Sequence, residues 1–395
     1  MDFSEKLSDR TKTMGASAIR EILKVVGKPG MVSLAGGIPS PDSFPMELIK
    51  ELTDKVYTKY GSSALQYDLT EGFTPLRENM AVFLNKNGIN VNSEQILIHS
   101  GSQGALDAIC KVLISKGDKI AVEAPTYLGA LQAFKPYEPQ FVRMDMDDEG
   151  LVPESLEEVL RNNEIKFVYT VPTFQNPTGR SLSLERRKRI AEIIIKYGAI
   201  LVEDDPYSSL RYSGEALPSI KTMAPDNVIY ITTLSKVLAP GLRIGVVVAP
   251  EQIHKWMVIV KQGVDLHSST LGQAIAAEYI EGNYLDEQLP KIIDLYKPKH
   301  AAMLNALEKY FPDSFTFSKP EGGMFVWAEG PEGLDLVKGY WTAVENNVAY
   351  VPGKYFFTEE SEGLSTMRLN FTMAEIPVIE GAVKKLAEVL ESLMK

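Results

Sequence analysis

From about residue 95 to residue 250 the chain alternates short apolar runs with segments whose apolar positions recur every three or four residues. The runs at 96–98, 120–122, 140–143, 167–171, 200–203, 228–231 and 244–248 have the length and β-branched content of buried strands. Helical patterns at 105–115, 154–162 and 184–197 sit between several of them. Alternation of this kind predicts an α/β fold: a mostly parallel, mixed seven-stranded sheet flanked by helices. The step from 228–231 to 244–248 leaves no room for a crossover helix, so one of these two strands is expected to run antiparallel or to lie apart.

Beyond residue 250 the pattern changes. Residues 255–285 and 284–307 read as helical, with Pro290 expected to kink the second segment or start a new helix. After Phe311 come short strand-like runs at 315–317, 324–327, 349–351 and 366–371, with helical patterns at 334–346 and 376–394. These predict a smaller α+β domain.

Composition narrows the class. The chain has 395 residues, 45% hydrophobic and 24% charged, enough for a sizeable core and two domains. A net charge of −11 argues against a general nucleic-acid or anionic-membrane surface. The single cysteine, Cys110, excludes an internal disulfide and fits a reducing compartment, and it lies in an apolar stretch as packing. No run of eighteen apolar residues predicts a membrane span, and the polar N-terminus is unlike a secretory signal, so a cytoplasmic location is expected. His99, His254, His267 and His300 show no metal-ligand spacing.

The candidate chemistry centres on Lys236. It stands in the stretch 233–245 with Thr233, Ser235, Gly241, Arg243 and Gly245 around it. A lysine amine is mostly protonated at neutral pH, with an ordinary value near ~10.4. A dry site or a nearby cation frees it to act as nucleophile or base. Arg243 is such a cation, and with the Thr233 and Ser235 hydroxyls it suits a phosphate dianion. Glycines let backbone approach a ligand closely. Gly101-Ser102-Gln103-Gly104 follows the run at 96–98 and opens a helical segment, a turn whose backbone N–H groups can cradle a second face of a phosphate.

Across nearly its whole length, from the Arg20 region to the Arg368 region, the chain resembles the fold-type I pyridoxal-phosphate enzymes of the class I/II aminotransferases. Among these it is most similar to the kynurenine/2-aminoadipate and archaeal aromatic aminotransferases. The resemblance implies pyridoxal 5'-phosphate bound covalently to Lys236, with its phosphate on Arg243, Ser102 and Gln103. Tyr127 would stack on the pyridine ring. Asn176, in Asn176-Pro177-Thr178-Gly179, and Tyr207 would donate to the phenolate oxygen. The resemblance also suggests cis bonds before Pro125 and Pro177. Asp204 would keep the ring nitrogen protonated so that the ring accepts electrons, although by position alone Asp205 competes for that role. Arg368 would clamp the substrate α-carboxylate with help from the Gly37 backbone. Tyr67 would reach the phosphate of a second subunit, which makes the site an interface of a homodimer. His267 could face the cofactor across that interface or serve ordinary packing. The resemblance places an N-terminal arm and part of the small domain at 1–45, the large cofactor-binding domain at 46–295 and the small domain at 296–395.

The implied reaction moves an α-amino group from an amino acid to a 2-oxo acid, with 2-oxoglutarate as the expected acceptor, in ping-pong fashion. Phe325 and Tyr67 are expected to supply an apolar wall that suits aromatic or long aliphatic side chains, so the expected donors are aromatic amino acids, kynurenine, 2-aminoadipate and glutamate. A β-lyase or decarboxylase on the same scaffold is the competing chemistry. A cofactor-binding transcription regulator would need a helix-turn-helix segment for which the first forty residues leave no room. Arg20 either meets the distal carboxylate of a dicarboxylic substrate or pairs with a neighbouring acid. If it meets substrate, Arg20→Ala raises KM for dicarboxylates while leaving phenylalanine unaffected; equal effects on phenylalanine and glutamate in steady-state assays refute the switch.

Overall fold

A computed structural model describes residues 3–12, 14 and 30–395. Arg20 lies outside the described residues. The strands are β1 (Val32–Ser33), β2 (Ile96–Ser100), β3 (Lys119–Ala124), β4 (Gln140–Asp147), β5 (Gly150–Leu151), β6 (Ile165–Thr170), β7 (Leu201–Asp205), β8 (Val228–Thr233) and β9 (Ile244–Val248). Beyond these come β10 (Thr316–Phe317), β11 (Phe325–Glu329), β12 (Val348–Ala349), β13 (Val351–Pro352) and β14 (Thr366–Asn370).

The large sheet has the order β2-β9-β8-β7-β6-β3-β4-β5. It holds eight strands where the periodicity indicates seven. The additional one, β5, is two residues folded back on β4, too short to leave a periodic signal. β4, β3, β6, β7 and β8 run parallel. β9 runs antiparallel to both β8 and β2, the arrangement that the short 228–248 connection requires. Of the parallel strands, β6 and β8 are largely apolar and buried, whereas β4 alternates with exposed polar residues and β7 ends in three acids.

The second sheet, β10-β11-β14-β13, is wholly antiparallel. The run at 349–351 divides into β12 and β13, and β12 pairs in parallel with β1 from the N-terminal segment. That pairing is invisible to periodicity because each partner is two residues long.

Two helical expectations need correction. Residues 255–285 are not one helix: Glu251–Gln262 and Thr270–Glu281 are separated by a turn in which Leu266 takes φ 60° and Ser269 caps the second helix by accepting from the Gly272 N–H. Conversely Tyr284–Tyr310 runs unbroken through Pro290 and Pro298. Burial of Ile292, Tyr296, Met303 and Leu307 along one face offsets the backbone bonds that proline forfeits. Helices Met46–Tyr60 and Thr74–Lys86 go beyond the sequence reading. No helix among the described residues is long and apolar enough to cross a membrane.

Two glycines bring β2, β9 and the helix Gly101–Leu113 together. Gly101 starts that helix at φ +74°, and a Cβ there would lie 2.3 Å from Nη2 of Arg243. A Cβ on Gly245 would lie 2.4 Å from the backbone carbon of Gly101. Gly241 differs: a Cβ there meets nothing within 4 Å, so close approach does not explain it. Gly245→Ala is therefore expected to cost about 1–3 kcal/mol in denaturant unfolding through overpacking against backbone, whereas Gly241→Ala leaves the midpoint nearly unchanged.

Candidate active site

β2, β3, β6, β7 and β8 share one direction, so their carboxyl ends lie along one edge of the sheet. In open α/β sheets this is the edge that receives ligands. Ser102, Tyr127, Asn176, Asp204 and Lys236 all stand at or just past these ends. β9 is reversed, so its beginning reaches the same edge and brings Arg243, the residue before it.

Lys236 ends the short turn Leu234–Lys236 directly after β8. Its Nζ lies 3.4 Å from the Gly37 carbonyl oxygen, which accepts from it. Burial, then the cations of Arg368 and Arg243, bring its ammonium down to about 8. The first cause is desolvation and the second is repulsion, the two means by which a lysine becomes a usable base near neutral pH.

The three consecutive acids of β7 separate by strand alternation. Glu203 accepts from the Ser219 hydroxyl at 2.6 Å and from the N–H groups of Ile220 and Lys221 at 3.0 and 2.9 Å, which caps the following turn. Asp205 accepts from the Tyr230 hydroxyl at 3.0 Å and the Ser208 N–H at 3.1 Å. Asp204 faces the other way. Its Oδ2 accepts from the Tyr169 hydroxyl at 2.8 Å, and its buried Oδ1 has no partner among the described residues. Burial pushes its carboxyl up to about 7 against the pull of that one bond. An unpaired, desolvated carboxylate oxygen is costly to leave unmatched, and a cationic N–H is what it lacks. Position in sequence leaves Asp205 in contention; its own partners remove it.

At the opposite end, Arg243 sits at the start of the helix Gly101–Leu113, its Nη2 donating to the Ser100 carbonyl at 3.2 Å. The Ser102 hydroxyl is buried without a partner among the described residues, beside that helix's free N–H groups. Thr233 departs from the expectation of a phosphate donor. Its hydroxyl donates to the Ile244 carbonyl at 2.7 Å, so the 2.9 Å contact between the Thr233 and Ser235 hydroxyls has Ser235 as donor. Thr233 has spent its one proton, and Ser235 is the hydroxyl of the two that can turn to an anion. The Gln103 side chain likewise donates to the Gly129 carbonyl at 2.7 Å, which leaves its backbone N–H for the cradle. Gly129 in turn makes room for Tyr127, since a Cβ there would lie 2.4 Å from that ring.

Arg368, on β14, is buried between the rings of Phe325 and Phe356, 4.3 and 5.2 Å from its guanidinium carbon. Burial pulls its guanidinium down to about 10, still charged at neutral pH. It donates to Asn176 Oδ1 and to the Ala35 carbonyl, both at 2.9 Å, while its buried Nε has no partner among the described residues. Because arginine has no acceptor, this contact orients the Asn176 amide. Its Nδ2 therefore turns into the site, 3.5 Å from the Tyr207 hydroxyl. A Cβ on Gly37 would lie 3.4 Å from Arg368 Nη2, so the glycine turn passes between Lys236 and Arg368. The peptide bonds before Pro125 and Pro177 are both cis.

Tyr67 stands apart from this group in a single chain. It is 76% exposed, with its ring edge-on to His267 at 5.7 Å. His267 Nδ1 contacts the Ser268 carbonyl at 2.8 Å. Residues the sequence reading passed over are Tyr169, Phe356 and Ala35. Tyr169 left one signal: a buried strand tyrosine needs a hydrogen-bond partner, and the acid on the next strand is one.

The donor set fits pyridoxal phosphate: a depressed amine, an unmatched buried carboxylate oxygen, and an anion cradle with an arginine, a free serine hydroxyl and a helix N-terminus. Capture of the aldehyde requires the neutral amine, whose fraction rises with pH. The rate at which cofactor-free protein takes up pyridoxal phosphate should therefore increase through a midpoint near about 8 and level off above it. A rate still climbing toward ~10.4, as for an exposed lysine, in stopped-flow absorbance would contradict the site's dryness.

Comparison with known proteins agrees with this geometry. The family described as aminotransferase class I and II matches residues 30–385. The chain is 48% identical to aromatic-amino-acid aminotransferase 1 of Thermococcus litoralis, covering 100% of this chain and 96% of that protein. It is 39% identical to the 2-aminoadipate transaminase of Thermus thermophilus, over 100% and 98%. Among solved structures, the Pyrococcus horikoshii kynurenine aminotransferase, in complex with PMP and with KYN and KYA as substrates and products, superposes with a TM-score of 0.96 at 45% identity, over 100% and 99% of the two chains. The chain belongs to the class I and II aminotransferases, enzymes that transfer amino groups between amino acids and 2-oxo acids with pyridoxal 5'-phosphate as cofactor.

Proposed function

We propose that this aminotransferase acts on aromatic amino acids, kynurenine and 2-aminoadipate, with glutamate/2-oxoglutarate as the second couple, and that it works as a cytoplasmic homodimer. The relatives named for aromatic amino acids, 2-aminoadipate and kynurenine support the range. The observation that carries the site is the Lys236 amine, brought down by burial and two arginines, on the same sheet edge as the unmatched Asp204 oxygen.

Lys236 would hold the cofactor's aldehyde carbon, with Asp204 at the ring nitrogen and Tyr127 against the ring. Asn176 and Tyr207 would donate to the phenolate oxygen. Ser102, the backbone N–H of Gln103, Ser235 and Arg243 would take the phosphate. When bound, the cofactor supplies an electron sink for the substrate α-carbon. Arg368 holds the α-carboxylate, which orients the Cα–H bond. The carboxylate meets a charge that is already desolvated and fixed between two aromatic rings, so little reorganisation accompanies binding. Lys236, in its neutral form, takes the α-proton on Nζ and can give it back. Nearby Arg368 and Arg243 disfavour the protonated amine, so the proton is not retained.

Dimerisation is supported by an apolar surface. Leu65 and Tyr67 are 67% and 76% exposed, and Val264 and Leu266 are also exposed. The two segments are joined by the Tyr67–His267 ring contact and by the Thr270 hydroxyl donating to the Gln66 carbonyl at 3.0 Å. A contiguous apolar patch of this kind marks an interaction surface. It would bring Tyr67 of the partner subunit toward the phosphate. The single cysteine supports a reducing compartment. We place the domain division at 1–45, 46–295 and 296–395, with the helix Tyr284–Tyr310 as a spine common to the two larger parts.

Adding one amino acid to the yellow protein should bleach its visible band, and 2-oxoglutarate should restore it. Double-reciprocal plots at several fixed acceptor concentrations should be parallel. Release of ammonia or carbon dioxide in place of a 2-oxo acid would instead indicate a lyase or decarboxylase.

A further inference from the structure

Gln175 precedes Asn176, and the substrate-contact roles argued above give it none. It is nonetheless 1% exposed, and both ends of its side chain are fully engaged. Its Nε2 donates to Glu123 Oε2 at 3.0 Å and to the Pro125 carbonyl at 2.8 Å. Its Oε1 accepts from the Thr178 N–H at 2.9 Å and the Thr178 hydroxyl at 2.7 Å. Glu123, 2% exposed near the end of β3, also accepts from the Thr170 hydroxyl and from the Val171 N–H at 3.3 Å. An amide is the only neutral side chain of this length with two donors and two acceptor lone pairs, and all four are used here.

The bridge connects two loops that regular structure does not hold. One is Pro125-Thr126-Tyr127, past β3. The other is Asn176-Pro177-Thr178-Gly179, past β6. The second loop is closed on itself by Gln175 N–H donating to the Arg180 carbonyl at 2.9 Å and Gly179 N–H donating to the Gln175 carbonyl at 2.6 Å. Nothing in that closure sets its distance to the Tyr127 loop. Gln175 does, by spanning from the Glu123 carboxylate and Pro125 carbonyl to Thr178.

We infer that Gln175, braced by Glu123, is a positioning residue that fixes the Asn176 amide relative to the Tyr127 ring, and thereby the placement of the cofactor's phenolate edge. This rests on the pyridoxal-phosphate reading of the site. Gln175→Glu is nearly isosteric and replaces the two amide donors with at most one acid proton shared between two buried carboxyls. Gln175→Met keeps the length and removes all four hydrogen bonds, leaving the Pro125 carbonyl and the Thr178 N–H unpaired.

The test is a spectroscopic pH titration of the holoenzyme's visible band, read beside kcat, KM and Tm. An Asn176 donor stabilises the phenolate anion, so displacing it should move the titration midpoint upward by about one unit and lower kcat/KM by about ten- to a hundredfold. Glu123→Met, which removes the acceptor for the Gln175 amide, should move the midpoint the same way, and the Glu123→Met/Gln175→Met pair should be no worse than the worse single variant. If the Gln175 and Glu123 variants do not fold, Thr178→Val, which preserves shape and removes the hydroxyl donor to Gln175 Oε1, carries the test alone. Lys221→Met is the control. Lys221 donates to the Pro225 and Val228 carbonyls at 2.6 and 2.7 Å, away from the site, so its loss should lower Tm and leave the midpoint in place. Folded Gln175, Glu123 or Thr178 variants that lose only Tm, with the wild-type midpoint, overturn the inference and leave the function intact. A wild-type protein without a visible band that Lys236→Ala abolishes overturns both.

Discussion

The site depends on keeping one amine dry in the company of two cations. Lys236 in water would be protonated and chemically idle. Burial is the larger cause of its depressed value, with Arg368 and Arg243 adding repulsion from two sides. The two arginines are held in different ways. Arg368 lies between two aromatic rings and donates to Asn176 and Ala35. Arg243 leans on the Ser100 carbonyl at the mouth of a helix. The carbonyl of Gly37 accepts from the amine in either protonation state, so it holds the side chain in place without fixing its charge.

The same economy of unmatched groups explains the rest of the cluster. A folded chain rarely leaves buried polar atoms without partners. The buried atoms left so among the described residues include three in this cluster, Asp204 Oδ1, the Ser102 hydroxyl and Arg368 Nε. In the proposed function these three distinct positions would receive a cationic ring nitrogen, a phosphate and a carboxylate. The polar atoms that the protein satisfies internally, on Thr233, Glu203 and Asp205, are by contrast structural. Sorting neighbours by what they lack separates Asp204 from the acid on either side of it.

The sheet supplies the rigidity that such a site needs. Six strands bring their carboxyl ends to one edge, and the reversed β9 adds its beginning. Glycine at 101 and at 245 permits the close approach of Arg243 and the helix to the sheet. The loops beyond the strand ends have no such ladder, and the Glu123–Gln175–Thr178 bridge ties two of them together.

Strand positions, the alternating architecture and the antiparallel step into β9 were legible in the amino-acid order, because buried strands are continuous apolar runs and connection length limits direction. The lysine with its hydroxyls, glycines and arginine was legible as chemistry for the same local reason: the motif is contiguous. Other features had no local signature. Two-residue strands such as β1, β5 and β12 carry no period; the break between Gln262 and Thr270 is different, since Gly263 and the Ser269 cap are local signals that the sequence reading passed over. The helix that survives Pro290 and Pro298 does so through packing against distant residues. Which acid of β7 faces the site, which hydroxyl near Lys236 is already spent, and how Arg368 turns the Asn176 amide are decided by partners 11 to 192 positions away. Only the folded chain brings those partners within hydrogen-bonding distance, which is why the residue types came from sequence and their roles from tertiary structure.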